Sequence, residues 1–170
     1  MASGSRTAWS GGDGDDGERP RGGHDEIFQR LAAEHDEVAA LIERVGGTIE
    51  IRVRQELFPE IRRILLAHAR AEEEAFYPVL RELPGLAALT ARCLEDHAEV
   101  VRHLDRLDVK DKATKRWGEL FEEMMRAVAR HVIREEHELF PRARELLGVE
   151  QAHEMGIHYA ASVHAGEPKS

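Results

Sequence analysis

From about residue 25 onward, apolar residues recur every three or four positions, and four long stretches carry such a stripe. The first, about 25–45, aligns Ile27, Leu31, His35, Val38, Ile42 and Val45, and Gly46-Gly47 stops it. The second, about 50–82, aligns Ile61, Leu65, His68, Glu72, Phe76 and Val79; Pro59 starts or kinks it, and Pro78 kinks or ends it. Pro84-Gly85 predicts a turn. The third, about 87–107, carries Cys93, His97, Val100 or Val101, Leu104 and Leu107. After a polar connection, DVKDKAT, the fourth spans about 113–147 with Trp117, Phe121, Met124, Val128, His131, Glu135 and Leu139, ending before Gly148. Short connections favour antiparallel neighbours, so the pattern predicts an all-α, up-and-down four-helix bundle over residues 24–147. Residues 148–170 are weakly periodic and read as a short, loosely held fifth helix or a tail. Residues 1–23 hold seven of the fourteen glycines and predict a disordered tail. The stretch DGDDGE at 13–18 lacks the glutamate and flanking helices of a calcium loop.

The stripes are not purely apolar. HARAEEEAFYP at 68–78 recurs as HVIREEHELFP at 131–141, aligning His68 with His131, Glu72 with Glu135, Tyr77 with Phe140 and Pro78 with Pro141. EHDEVAAL at 34–41 likewise matches DHAEVVRHL at 96–104. The chain therefore reads as two copies of a helix pair, with a lone histidine on each first helix and His-x3-Glu on each second. Residues four apart lie one turn apart on one helix face, so each histidine and glutamate point the same way. Burying two glutamates without a counter-charge costs several kcal/mol each. Two divalent cations remove that cost, with imidazoles as neutral ligands and carboxylates as charged bridges. His35, His68, Glu72, His97, His131 and Glu135 are accordingly the candidate metal ligands.

Bulk properties narrow the partners. A formal charge of −9, without a Lys/Arg block, argues against nucleic acid. One cysteine, Cys93, excludes an internal disulfide framework and fits a reducing compartment. No apolar run reaches membrane-span length and no signal-peptide stretch opens the chain, so a cytoplasmic protein without a membrane partner is expected.

The order His35, His68-x3-Glu72, His97, His131-x3-Glu135 resembles the hemerythrin-like (HHE cation-binding) family, and HARAEEEAFYP is similar to that family's helix-B signature. The resemblance covers roughly residues 24–147 and implies two iron ions in a non-heme di-iron centre within a four-helix bundle. It implies that His35 and His68 bind one iron and His97 and His131 the other. Glu72 and Glu135 would bridge them beside an oxo, hydroxo or water oxygen. The implied partners are dioxygen, peroxide or nitric-oxide-derived molecules. Manganese or zinc suits the same donors.

Two departures separate the sequence from the oxygen-carrying hemerythrins that it resembles. Cys93 stands where those have a further histidine one turn before the one aligned with His97, and His131-x3-Glu135 replaces a longer His–Asp spacing. Fewer protein ligands favour oxidant removal, including a catalase-like activity, over reversible carriage; an oxygen- or iron-sensing or iron-holding module without turnover is the alternative. Cys93 itself aligns with Leu31 and reads as a core residue. Glu34, Asp36, Glu73, Asp96 and Glu136 flank the ligands and are candidates to orient imidazole N–H groups. Tyr77 is expected in the core or at an interface, with a place close to the centre as the alternative. His103 and His137 are expected at the surface, and His153, His158 and His164 in the weakly periodic C-terminal segment.

Overall fold

The computed structural model describes residues 25–165, and all regular structure among them is helical. The expected N-terminal tail and its DGDDGE stretch lie outside the described residues. Helix α1 spans Glu26–Gly46. Helix α2, Ile51–Ala71, runs through a π-helical turn, Glu72–Phe76, into α3, Tyr77–Leu80. Helix α4 spans Ala87–Asp108. Helix α5, Lys115–Arg134, passes through a second π-helical turn, Glu135–Leu139, into α6, Phe140–Leu146. Helix α7 spans Val149–Ala165.

Local chemistry accounts for the boundaries. The hydroxyl of Thr114 accepts the backbone N–H of Trp117 at 3.2 Å and starts α5. Gly85 adopts φ +76, the left-handed conformation that lets the chain reverse between α3 and α4. Pro59 does not start α2, which begins eight residues earlier at Ile51; its ring faces solvent, where water can satisfy the carbonyl that loses a partner. Pro78 and Pro141 do not end their helices. A proline ring clashes with the carbonyl four residues back, and widening the preceding turn relieves that clash. Tyr77 N–H bonds the carbonyl of Glu72 and Phe140 N–H that of Glu135, so each wide turn opens on the glutamate of a His-x3-Glu motif.

Helix α1 packs against α2 and α5, and α4 against α5 and α2, so each long helix has two long neighbours. Their inner faces form two apolar clusters. One gathers Phe28, Leu31, Phe76, Cys93, Leu139 and Phe140, and the other Val38, Ile61, Leu104, Trp117, Phe121 and Met124. In α1, α4 and α5 a histidine falls between the residues given to the two clusters, which places a polar layer mid-bundle. Phe28, Phe76 and Phe140 close the first cluster with ring centroids 5.4–5.9 Å apart.

The C-terminal segment takes the helical one of its two sequence readings. It is a 17-residue helix rather than a tail, and it packs on α1, α2 and the first π turn, burying Ala152, Met155 and Tyr159. Exposed Val149 and Ile157 blur the contrast between its faces, which hid the packing face. No helix among the described residues is long and apolar enough to cross a membrane.

Candidate metal centre

All six candidate ligands converge. His35, His68, His97 and His131 are each 4–8 % exposed, and Glu72 and Glu135 are fully buried. They fall into two histidine pairs. His35 Nε2 lies 3.1 Å from His68 Nε2, and His97 Nε2 lies 3.1 Å from His131 Nε2. Each glutamate touches one member of both pairs. Glu72 Oε2 is 3.3 Å from His68 Nε2 and 3.2 Å from His97 Nε2. Glu135 Oε2 is 3.3 Å from His35 Nε2 and 3.4 Å from His131 Nε2.

The other imidazole nitrogens point outward to carboxylates. His35 Nδ1 lies 2.8 Å from Glu136, His68 Nδ1 2.9 Å from Glu34, and His97 Nδ1 2.9 Å from Glu73. His131 Nδ1 is 3.8 Å from Asp96, beyond hydrogen-bond reach, because Arg134 holds that carboxylate. Four of the five flanking acids thus face the imidazoles; Asp36, two residues from Glu34 and on another face of α1, is exposed. Two of the three bonded pairs cross the repeat: Glu73 of the first helix pair meets His97 of the second, and Glu136 of the second meets His35 of the first, while Glu34 meets His68 within one pair.

Tyr77 is a buried core residue, and its hydroxyl reaches the centre. Its hydroxyl donates to Glu135 Oε1 at 2.7 Å and lies 3.2 Å from His97 Nε2. Its repeat partner Phe140 stacks on His35, with planes 8° apart, and has no hydroxyl to offer. Cys93 is fully buried, and its sulfur lies within 4.8 Å of a nitrogen of His131 and an oxygen of Glu135. His137 is exposed, as expected. His103 is half-buried between Glu99 and Glu123, at 3.7 and 4.0 Å, on the far side of α4. Tyr159 of α7 is the residue that sequence reasoning missed: its hydroxyl donates to Glu34 Oε2 at 2.5 Å and lies 3.0 Å from His68 Nδ1. The one available signal was the helical spacing of Ala152, Met155 and Tyr159.

Residues 21–143 match the family described as the Hemerythrin HHE cation binding domain. The chain belongs to that family. It is also 27 % identical over 132 residues to a protein named DNA nickase from Nostoc sp. (strain PCC 7120 / SAG 25.82 / UTEX 2576), covering 78 % of this chain. The match spans only 37 % of that relative's length. No solved structure matches the chain.

The donor set fits the cations that the HHE family binds. A neutral imidazole whose Nδ1–H donates to a carboxylate presents a bare lone pair at Nε2. Two such lone pairs facing each other repel unless a cation lies between them. Nitrogens in adjacent positions around one ion, each about 2.1 Å from it, are about 3 Å apart, as these pairs are. Three buried carboxylate oxygens, both of Glu72 and Oε2 of Glu135, make no hydrogen bond at all. A cation bound among the facing nitrogens would also meet Glu72 Oε2 or Glu135 Oε2.

Without metal, protons take that place. Burial opposes a charge on His68, but the Glu72 carboxylate and the Glu34 hydrogen bond prevail and raise its pKa to about 10. Burial likewise opposes a charge on His97, and Glu72 and Glu73 raise it to about 9. Burial lowers His131 to about 4 despite the charge of Glu135. Burial would raise Glu72, yet the cationic His68 and His97 hold it well below the usual carboxylate range.

The signs predict how chelated protein responds to pH. The stability contributed by His68 and His97 is complete below 6.5 and lost as pH rises through about 9–10. That contributed by Glu72 is present above 4.5 and lost in acid, while the lowered pKa of His131 costs stability as pH falls below 6.5 towards about 4. Chelated protein should therefore melt highest near pH 6.5. Metal-loaded protein should not lose stability between pH 7 and 9, because metal competes better as protons leave. Melting curves of both forms at half-unit pH steps check this; parallel curves would refute it.

Proposed function

We propose that this HHE-family chain is a non-heme di-iron protein that reacts with dioxygen, peroxide or nitric-oxide-derived oxidants, and that peroxide removal is its protective activity. The observation that carries the reading is the pair of 3.1 Å histidine contacts, each pair touching both buried glutamates. In an antiparallel up-and-down bundle of two repeated helix pairs, His35 and His68 would hold one iron, His97 and His131 the other, and Glu72 and Glu135 both. Two irons supply redox equivalents, so that two peroxides can yield two waters and one dioxygen without an outside reductant.

The chain's own residues supply the rest. A cavity of ≈ 20 Å³ adjoins His68, His97 and His131, walled by Leu65, Leu66, Val100, Val101, Leu104 and Val128. That is room for a molecule of one or two heavy atoms, and the apolar wall favours a neutral one. The Tyr77 hydroxyl donates a hydrogen bond that holds Glu135, on the His97 side alone. Burial and the charges of Glu135 and Glu72 push its pKa well above the ordinary value, so it stays a donor at neutral pH.

Nicking of DNA, in the name of the Nostoc relative, does not transfer to this reading. A net charge of −9 disfavours a phosphate backbone, and the chain matches about a third of that protein. A second reading, an oxygen- or iron-sensing or iron-holding module, is favoured by the contact that α7 makes with the outer side of His68. Metal analysis and optical spectroscopy of untagged protein test the proposal. Two irons per chain are expected; two zinc ions, or none of any metal, would overturn it.

A further inference from the structure

The outer sides of the two histidine pairs differ, and α7 touches one of them. On the His35/His68 side both imidazoles have a carboxylate at Nδ1, Glu136 at 2.8 Å and Glu34 at 2.9 Å. Glu34 is itself held twice more, by Arg30 Nε at 2.9 Å and by the Tyr159 hydroxyl at 2.5 Å. The Arg30 guanidinium also lies over the Tyr159 ring, 5.1 Å from its centroid. On the His97/His131 side, His131 Nδ1 has no hydrogen-bond partner, since Arg134 draws Asp96 away.

We propose that Tyr159 is a positioning residue for the metal held by His35 and His68, making that site the tighter of the two and linking its occupancy to the docking of α7. This rests on the metal reading above. The physical basis is orientation. A carboxylate at the outer nitrogen fixes the ring's tautomer and direction and raises the basicity of the inner nitrogen. Glu34 does this for His68 only if its own carboxylate is held still, and the fully buried Tyr159 hydroxyl holds the oxygen that His68 uses. Tyr159 lies sixteen residues beyond the end of the family match, on a helix that packs on α1 and α2 but carries no ligand. Linkage is reciprocal: whatever α7 contributes to metal affinity, bound metal returns to the docking of α7.

The test uses the full-length, untagged, metal-free chain titrated calorimetrically with cobalt(II), with hydrogen exchange of α7 amides followed before and after loading. Wild type should take up two ions in unequal steps, with slower α7 exchange once loaded. Tyr159→Phe keeps the ring and removes the hydroxyl. It should weaken the tighter step about tenfold, leave the weaker step and the total of two unchanged, and reduce the gain in α7 protection. His158→Ala, on the exposed face of the same helix, should match wild type. A merely structural tyrosine would lower the melting temperature without selecting one step. Two ions bound in equal steps, or a Tyr159→Phe titration identical to wild type, overturns this inference alone. A wild-type chain that binds no cobalt overturns the metal reading and this inference with it.

Discussion

Chelating the metal should lower the melting temperature of this protein by about 8–16 °C for each ion removed. The estimate follows from linkage. A ligand present at a thousandfold excess over its Kd adds ~4 kcal/mol to the folded state. A domain of this size gains roughly 2–4 °C per kcal/mol. The structural reason is the state of Glu72 and Glu135 without metal: both are at 0 % exposure, and three of their four oxygens lack a hydrogen bond. Glu72→Ala or Glu135→Ala should reduce bound metal below two ions per chain and shrink the melting gap between chelated and loaded forms. His103→Ala should do neither, because that ring faces Glu99 and Glu123 away from the centre. Elemental analysis and paired melting curves read both effects. Equal melting of chelated and loaded wild type would refute the idea that the metals complete this core.

Air should oxidise the reduced protein irreversibly, and the oxidised protein should evolve oxygen from hydrogen peroxide. The argument is a count. Four imidazoles and two shared carboxylates would leave positions open on both ions of the proposed centre, whereas reversible carriage needs one open position and the others filled. Tyr77→Phe should retain both metals and slow peroxide turnover about 10- to 100-fold, because Glu135 loses the hydrogen bond that orients it. The ring packing survives that change, since Phe140 fills the equivalent place beside His35. Glu135→Ala should abolish turnover by removing a ligand. Optical spectra through a cycle of air and argon, with oxygen-electrode traces, decide the matter. Recovery of the reduced spectrum under argon, without oxygen from peroxide, would identify a carrier or sensor instead.

The stripe positions of His35, His68, Glu72, His97, His131 and Glu135 were readable because helical periodicity is local: residues three or four apart share a face whatever else the chain does. The repeat then aligned the two halves, and all six side chains do meet in one buried layer. The recurring Tyr-Pro and Phe-Pro pairs were visible too, but not their effect. Whether a proline ends a helix or widens a turn depends on the packing that holds the chain beyond it, and here α3 and α6 are each held by buried residues such as Leu80 and Ala143.

Three-dimensional packing alone decided which flanking acids matter. Glu34 and Asp36 look equivalent in the sequence, yet one meets His68 on α2 and the other meets solvent, because a residue's partner depends on which way neighbouring helices turn. The link from Glu136 to His35 joins residues 101 apart, and that from Tyr159 to Glu34 joins residues 125 apart. No local pattern encodes such pairings, since they arise from how α1, α5 and α7 dock. The two repeated His-x3-Glu motifs likewise predict a symmetric centre. The folded chain makes it unequal, placing the Tyr77 hydroxyl on one side and the Tyr159 hydroxyl on the other.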